Sequence, residues 1–306
     1  METLREVTAS RSSGTSPLTS RTARTLGIVS VVLAVWTLGA QTPGAAPAQE
    51  GASRFERLEN ERDNLELQKV PPFKVFDNLY YVGIGHLSSW LVTTSDGLIL
   101  IDALQEPYVD HLIDSIQNLG FDPNDIKYLL VTHAHVDHYG GAARIQETYG
   151  PSVGMIEGDW NALADNPSDR ARVPRRDIVF TDGDTLTLGD TTLKFHALPG
   201  HTPGGLSIEQ TVYDDGTPFK AFTLGGVTPR SMLRENITAL ERIMRIPGIQ
   251  VNVPNHPWRG DVHQRAEKLA EREPGDPHPF VAPEDFAALL EELKAFAEQK
   301  LAEETP

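Results

Sequence analysis

The sequence predicts an α/β fold, two mixed sheets covered on their outer faces by helices, and three observations carry that expectation. Short segments rich in β-branched and aromatic residues recur along the chain and are broken by turn signals such as Asp77-Asn78 and Asp96-Gly97. Stretches with apolar residues on one helical stripe alternate with them. The chain has 306 residues, 39% hydrophobic and 23% charged, with no internal repeat or long linker, which is enough for one sizeable core.

The first 48 residues stand apart. Arg5, Arg11, Arg21 and Arg24 precede an uncharged run over residues 26–40, followed by small residues and Pro. This is the pattern of a secretory signal peptide, and Ala46-Pro47-Ala48 offers an A-x-A cleavage site before Gln49. The run is shorter than the roughly 20 apolar residues a membrane span needs, so removal near Ala48 is expected, with an uncleaved anchor as the alternative. The expected organisation is a signal peptide (1–48), an N-terminal arm (49–72) and one folded domain (73–306), in the periplasm or secreted.

The arm is polar and charged and reads as a surface segment or short helix. Strands are predicted over 74–75, 79–84, 88–93 and 98–101. A helix over 107–119 puts Val109, Leu112, Ile113 and Ile116 on one face, and a buried strand over 126–132, a helix over 141–149 and a strand over 153–156 follow. Further strands are predicted over 178–180, 185–188, 193–197, 206–212 and 219–224, then a helix over 233–245 and a strand over 250–253. The last helix, 283–303, places Phe286, Leu289, Leu290, Leu293, Phe296 and Ala297 on a stripe expected to lie against the body.

Charge and cysteine content narrow the chemistry. The whole chain carries a formal −16; without residues 1–48, which hold four Arg and two Glu, 23 basic and 41 acidic residues leave −18. Such a charge repels nucleic acid and anionic membrane, so the expected partner is a small-molecule substrate, with no nucleic acid and no stable membrane insertion after the leader is removed. There is no Cys, which removes disulfides, lipoprotein acylation and thiolate ligands. Any metal must be held by His, Asp or Glu.

The decisive motif is His133-Ala134-His135-Val136-Asp137-His138, directly after the apolar run Ile126 to Val131. In an extended segment alternate side chains point the same way, so His133 and His135 can converge on one ion while Asp137 and His138, at the turn into the next helix, address a second. Zinc takes imidazole nitrogen and carboxylate oxygen in a tetrahedral set. Two further ligands are needed, and His201, in Pro199-Gly200-His201-Thr202-Pro203-Gly204, and His256, in Pro254-Asn255-His256-Pro257, both follow predicted strands in Pro/Gly loops. His86, His111, His196, His263 and His278 are read as hydrogen-bonded structural residues.

These motifs resemble the metallo-β-lactamase superfamily over about residues 73–256, most closely its third lactamase subclass, which is di-zinc and cysteine-free. The resemblance implies an αββα sandwich with the metals at the sheet edge. It implies a first zinc on His133, His135 and His201, a second on Asp137, His138 and His256, and a carboxylate, Asp102, steadying the ligand loop.

Relatives with a bridging Asp in an F-T-G-D pattern have Gly225 as their counterpart here, so no bridging carboxylate is expected. Gly225 and Val227 also stand where the lactamase pattern has serines that hold the substrate carboxylate. Thr223, Thr228 and Arg230 are left as candidate substrate contacts, and Gly225→Ser is expected to lower KM. Two zinc ions bring four positive charges against one negative from Asp137, so a shared water is expected as hydroxide near neutral pH, oriented by Asp137. The expected activity is opening of β-lactam rings; hydrolysis of other esters, lactones or phosphoesters is the alternative. A non-catalytic zinc protein is disfavoured by the complete ligand set.

Overall fold

The structure, a computed structural model, describes residues 53–305; the leader expected over 1–48 lies outside them. The described chain opens with two short helices, α1 (Arg54–Asn60), started by a Ser53/Glu56 capping box, and α2 (Leu65–Gln68). Seven strands then form a sheet in sequence order: β1 (Phe73–Phe76), β2 (Leu79–Tyr81), β3 (Trp90–Thr94), β4 (Gly97–Ile101), β5 (Ile126–Leu130), β6 (Ser152–Ile156) and β7 (Ile178–Phe180). The pairs from β1 to β4 are antiparallel and those from β4 to β7 parallel. A second sheet is built from β8 (Thr185–Leu188), β9 (Thr191–Ala197), β10 (Leu206–Asp214), β11 (Thr217–Thr223) and β12 (Ile249–Asn252), in the spatial order β12-β11-β10-β9-β8. It is antiparallel except for the β11/β12 pair.

Parallel neighbours require crossovers, and helices supply them. The crossover after β4 carries α3 (Val109–Asn118); that after β5 carries α4 (Val136–Tyr139) and α5 (Ala142–Tyr149). The next holds α6 (Glu157–Asp165), and α7 (Leu233–Met244) joins β11 to β12. Two more helices, α8 (Val262–Ala270) and α9 (Pro283–Glu304), complete the described chain.

The two-residue period of each strand sorts its side chains between layers. In β4, Ile99 and Ile101 enter the core between the sheets with Trp90, Leu130, Phe195 and Ile208, whereas Leu98 and Leu100 join Leu112, Ile116 and Ile145 beneath α3 and α5. In β11, Ala221 faces the intersheet core, and Phe222 packs with Leu240 and Leu290 beneath α7 and α9. The architecture is therefore helix, sheet, sheet, helix, as the sequence predicts.

Four details differ from the sequence expectation. The strand expected over 79–84 stops at Tyr81, because the chain folds back on itself in a narrow loop closed by Val82 N–H to Ser89 O and Ile84 N–H to Leu87 O. Neither α6 nor α8 was expected: α6 buries only Trp160 and Leu163 as apolar residues, and α8 only Val262, too few to draw a stripe. On α9 the buried stripe is Phe286, Leu290, Leu293 and Ala297, and Phe296 lies off its edge, 45% exposed. Among the described residues, no helix is long and apolar enough to cross a membrane.

Candidate metal centre

The chain ends of both sheets meet at one edge. There Leu206 N–H bonds Thr132 O at 2.7 Å, Ser88 N–H bonds Asn255 O at 3.1 Å, and Trp90 Nε1–H bonds Pro254 O at 2.9 Å. The first sheet delivers His133 and His135 just beyond β5, and Asp137 and His138 in the first turn of α4. The second delivers His201 from the loop between β9 and β10, and His256 beyond β12.

Two trios result. The rings of His133, His135 and His201 have centroids 4.6–4.8 Å apart and meet almost edge to face. Asp137, His138 and His256 form the second trio, with the two rings 5.1 Å apart. Within each trio one potential ligand atom per residue lies within 4.8 Å of the others. The trios adjoin, for His133 and His138 have centroids 4.0 Å apart.

Hydrogen bonds outside the cluster fix which nitrogen faces inward. His138 Nδ1–H donates to Asp102 Oδ2 at 2.8 Å, and His201 Nδ1–H to Thr228 O at 2.7 Å. His256 Nδ1–H donates to His86 O at 3.2 Å. The Thr132 hydroxyl gives its proton to Asp102 Oδ2 at 2.8 Å, so it accepts from His133 Nδ1–H at 3.1 Å. Each of these rings therefore turns a bare Nε2 lone pair toward its neighbours. The buried Nε2 atoms of His133 and His138 have no hydrogen-bond partner.

Burial pushes His133 well below the ordinary imidazole range and takes His201 down to about 4 and His256 to about 3. His138 is also desolvated, but Asp102 and Asp137 outweigh burial and raise it. Asp137 is lowered: burial opposes its charge, and His138 and His256 more than compensate. In the first trio neutral imidazoles turn acceptors toward one another, a poor hydrogen-bond network and a good cation site; in the second, His138 Nε2 faces Asp137 Oδ2 at 3.5 Å, where a cation would take the place of the imidazole proton. The donor set, imidazole nitrogen with one carboxylate and no thiolate, fits zinc.

Comparison with known proteins agrees with this geometry. A profile of the Metallo-beta-lactamase superfamily matches residues 82–214. The subclass B3 metallo-β-lactamase BJP-1 of Bradyrhizobium japonicum superposes with a TM-score of 0.70 at 31% identity, covering 78% of this chain and 97% of that one. The chain belongs to the metallo-β-lactamase superfamily. FEZ-1 of Legionella gormanii, another metallo-β-lactamase, gives a TM-score of 0.71 at 26% identity, covering 78% of this chain and 98% of that one. A hydroxyacylglutathione hydrolase of Pelagibacter ubique is 29% identical over 140 residues, which are 39% of this chain and 54% of that protein. The chain spans about half the length of the curated relatives it matches.

Against the superfamily's pattern, Asp102 sits at the end of β4 and is 1% exposed. It takes Thr132 N–H at 2.7 Å on Oδ1, and the Thr132 hydroxyl and His138 Nδ1–H on Oδ2. Two supports escaped the sequence reading. Gln68 of α2, fully buried, accepts His86 Nδ1–H at 2.8 Å and donates to Leu58 O, so the arm holds the residue whose carbonyl orients His256. Asp159 of α6 binds the loop of His201. Backbone acceptors and residues on a helix that shows no stripe leave no sequence signal. The histidines read as structural are all hydrogen-bonded: His111 to Val70 O, His196 to Glu209, His263 to Gly85 O and His278 to Val75 O.

The loop after β11 departs from expectation. A Cβ at Gly225 would lie 2.4 Å from Gly205 C and 2.5 Å from Leu206 N, so neither serine nor aspartate fits there without displacing the start of β10. The residue of this loop that abuts the cluster is Gly226, where a Cβ would stand 2.7 Å from His201 Cβ. Thr223, expected to meet substrate, is fully buried and has no surface to offer. Thr228 is partly occupied: its carbonyl takes His201 Nδ1–H and its hydroxyl takes an Arg259 N–H at 3.1 Å. Arg230 is exposed, and its charge adds a smaller effect to the burial that lowers both His135 and His201.

Proposed function

We propose that this chain is an exported di-zinc hydrolase that opens the amide bond of β-lactam rings. The observation that supports it best is the pair of adjoining trios, in which the inward Nε2 atoms of His133 and His138 are buried without a hydrogen-bond partner. His133, His135 and His201 would hold the first zinc, and Asp137, His138 and His256 the second. When bound, the ions would supply an ionised water nucleophile near neutral pH and polarise the substrate carbonyl. Asp137, whose side chain is 32% exposed, would hold metal and, from the open side of the site, orient the water nucleophile. Asp102, directly for His138 and through the Thr132 hydroxyl for His133, holds one histidine of each trio in the tautomer that leaves Nε2 free.

Substrate recognition rests on Arg230 and the partly occupied Thr228 hydroxyl, because no hydroxyl fits at Gly225 and Thr223 is enclosed. Weak binding of the lactam carboxylate follows, with high KM. Export is proposed from the leader pattern of residues 1–48.

A second reading, hydrolysis of thioesters, other esters, lactones or phosphoesters, is favoured by the curated relatives named hydroxyacylglutathione hydrolase. The absence of a carboxylate from Thr223 to Thr228 weighs against it. A panel of penicillin, cephalosporin, carbapenem, lactone, thioester and phosphodiester substrates separates the two. Turnover of lactams above the others supports the first reading; intact lactams beside rapid cleavage of another class replaces it with the second.

A further inference from the structure

The carboxylate of Asp159 is fully buried and faces no Lys or Arg among the described residues. Burial raises its pKa above the ordinary carboxylate range, and the Gly205 and Gly204 N–H groups that bond it offset only part of that rise. Gly205 N–H reaches Oδ2 at 2.8 Å and Gly204 N–H reaches Oδ1 at 3.2 Å. Those amides lie three and four residues beyond His201. One carboxylate thus clasps the His201 loop, and that loop is bonded in turn to the residue before His133 by Leu206 N–H to Thr132 O.

The surroundings are built for close approach. A Cβ at Gly158 would stand 2.7 Å from Pro203 O, and one at Gly204 would stand 2.7 Å from Asp159 Cγ. Leu206 N–H bonds Thr132 O at 2.7 Å, tying the same two segments directly. A buried carboxylate without a cation is costly, and backbone amides offset that cost only while the loop stays in place. The second trio has a different support, since His138 hangs on Asp102 and His256 on His86 O.

We propose that Asp159 is a positioning residue for the first trio, setting the separation of the His133/His135 segment from the His201 loop and so governing metal affinity at that trio alone. This rests on the reading of the trios as zinc sites.

Zinc titration of the wild-type protein and of Asp159→Asn against a competing chelator, resolving the two affinities, tests it. The side-chain amide so introduced turns a donor toward one glycine N–H, and first-site affinity is expected to fall about 10- to 100-fold with the second site unchanged, the range usual for a residue that orients a ligand. Unchanged affinities, or an equal loss at both sites, overturn the proposal, since a general loss of structure would not discriminate between them. Wild-type protein that binds fewer than two zinc ions removes the metal reading, and this inference with it. Amide hydrogen exchange on the metal-free wild type supplies a second measurement should the variant fail to fold. Gly204 and Gly205 are expected to exchange slowly, and exchange at the rate of an open loop overturns the clasp.

Discussion

Replacing Asp102 with asparagine tests how the second trio is held ready for a cation. In the wild type both Asp102 oxygens only accept, from Thr132 N–H, the Thr132 hydroxyl and His138 Nδ1–H. An amide of the same shape offers one acceptor and one donor. With its oxygen toward Thr132 N–H, its NH2 meets His138 Nδ1–H, donor against donor. The ring escapes by moving its proton to Nε2, which withdraws the lone pair it turns toward the trio. The metal-free variant relaxes in this way, and metal binding must reverse the shift or rotate the amide so that Thr132 N–H is left facing the NH2. Either route leaves one buried donor unsatisfied, about 1–3 kcal/mol. At 1.4 kcal/mol per tenfold, that is roughly a 5- to 150-fold loss of affinity at the second site. Chelator-competition titration reads the affinities, and a thermal melt checks that the variant is folded. A folded variant with unchanged second-site affinity refutes the reasoning.

Other outcomes follow from the same geometry. Gly225→Ser is expected to destabilise the protein and not to improve KM, because its Cβ meets the Gly205–Leu206 backbone; overpacking of about 1–3 kcal/mol corresponds to a Tm roughly 2–12 °C lower, and a folded, unshifted variant with tighter lactam binding contradicts this. Arg230→Ala is expected to raise KM for a carboxylate-bearing lactam by no more than about fivefold with kcat unchanged, as an exposed charge is well screened. Steady-state kinetics at two salt concentrations check it, and a fall in kcat alone assigns Arg230 another role. N-terminal sequencing of protein from an export-competent host is expected to begin near Gln49; an intact Met1, or a start beyond Phe73, counts against the leader.

Most of the layer architecture is legible in the sequence because burial leaves its pattern on each element. One-sided burial gives the alternation over residues 185–188 and the stripe on α9, where Phe296 fails because it lies at the stripe's edge; burial on both faces leaves the unbroken apolar run over 98–101. The metal motif is legible for a different reason: four of its six residues are local in sequence, and the remaining two sit in Pro/Gly loops at strand ends. What escapes is support given by backbone atoms or by weakly patterned helices, as with His86 O, Gln68 and Asp159. The space around Gly225 escapes as well, since it depends on how close the Gly205–Leu206 backbone runs, which no local pattern records.

Zinc content measured alongside hydrolysis tests the central claim most directly. Wild-type protein is expected to bind two zinc ions, with His201→Ala losing chiefly the first and His256→Ala chiefly the second, and β-lactam hydrolysis is expected to vanish on chelation and return with zinc. One ion or fewer in fully loaded wild-type protein, or hydrolysis that persists in a metal-free preparation, would contradict the account.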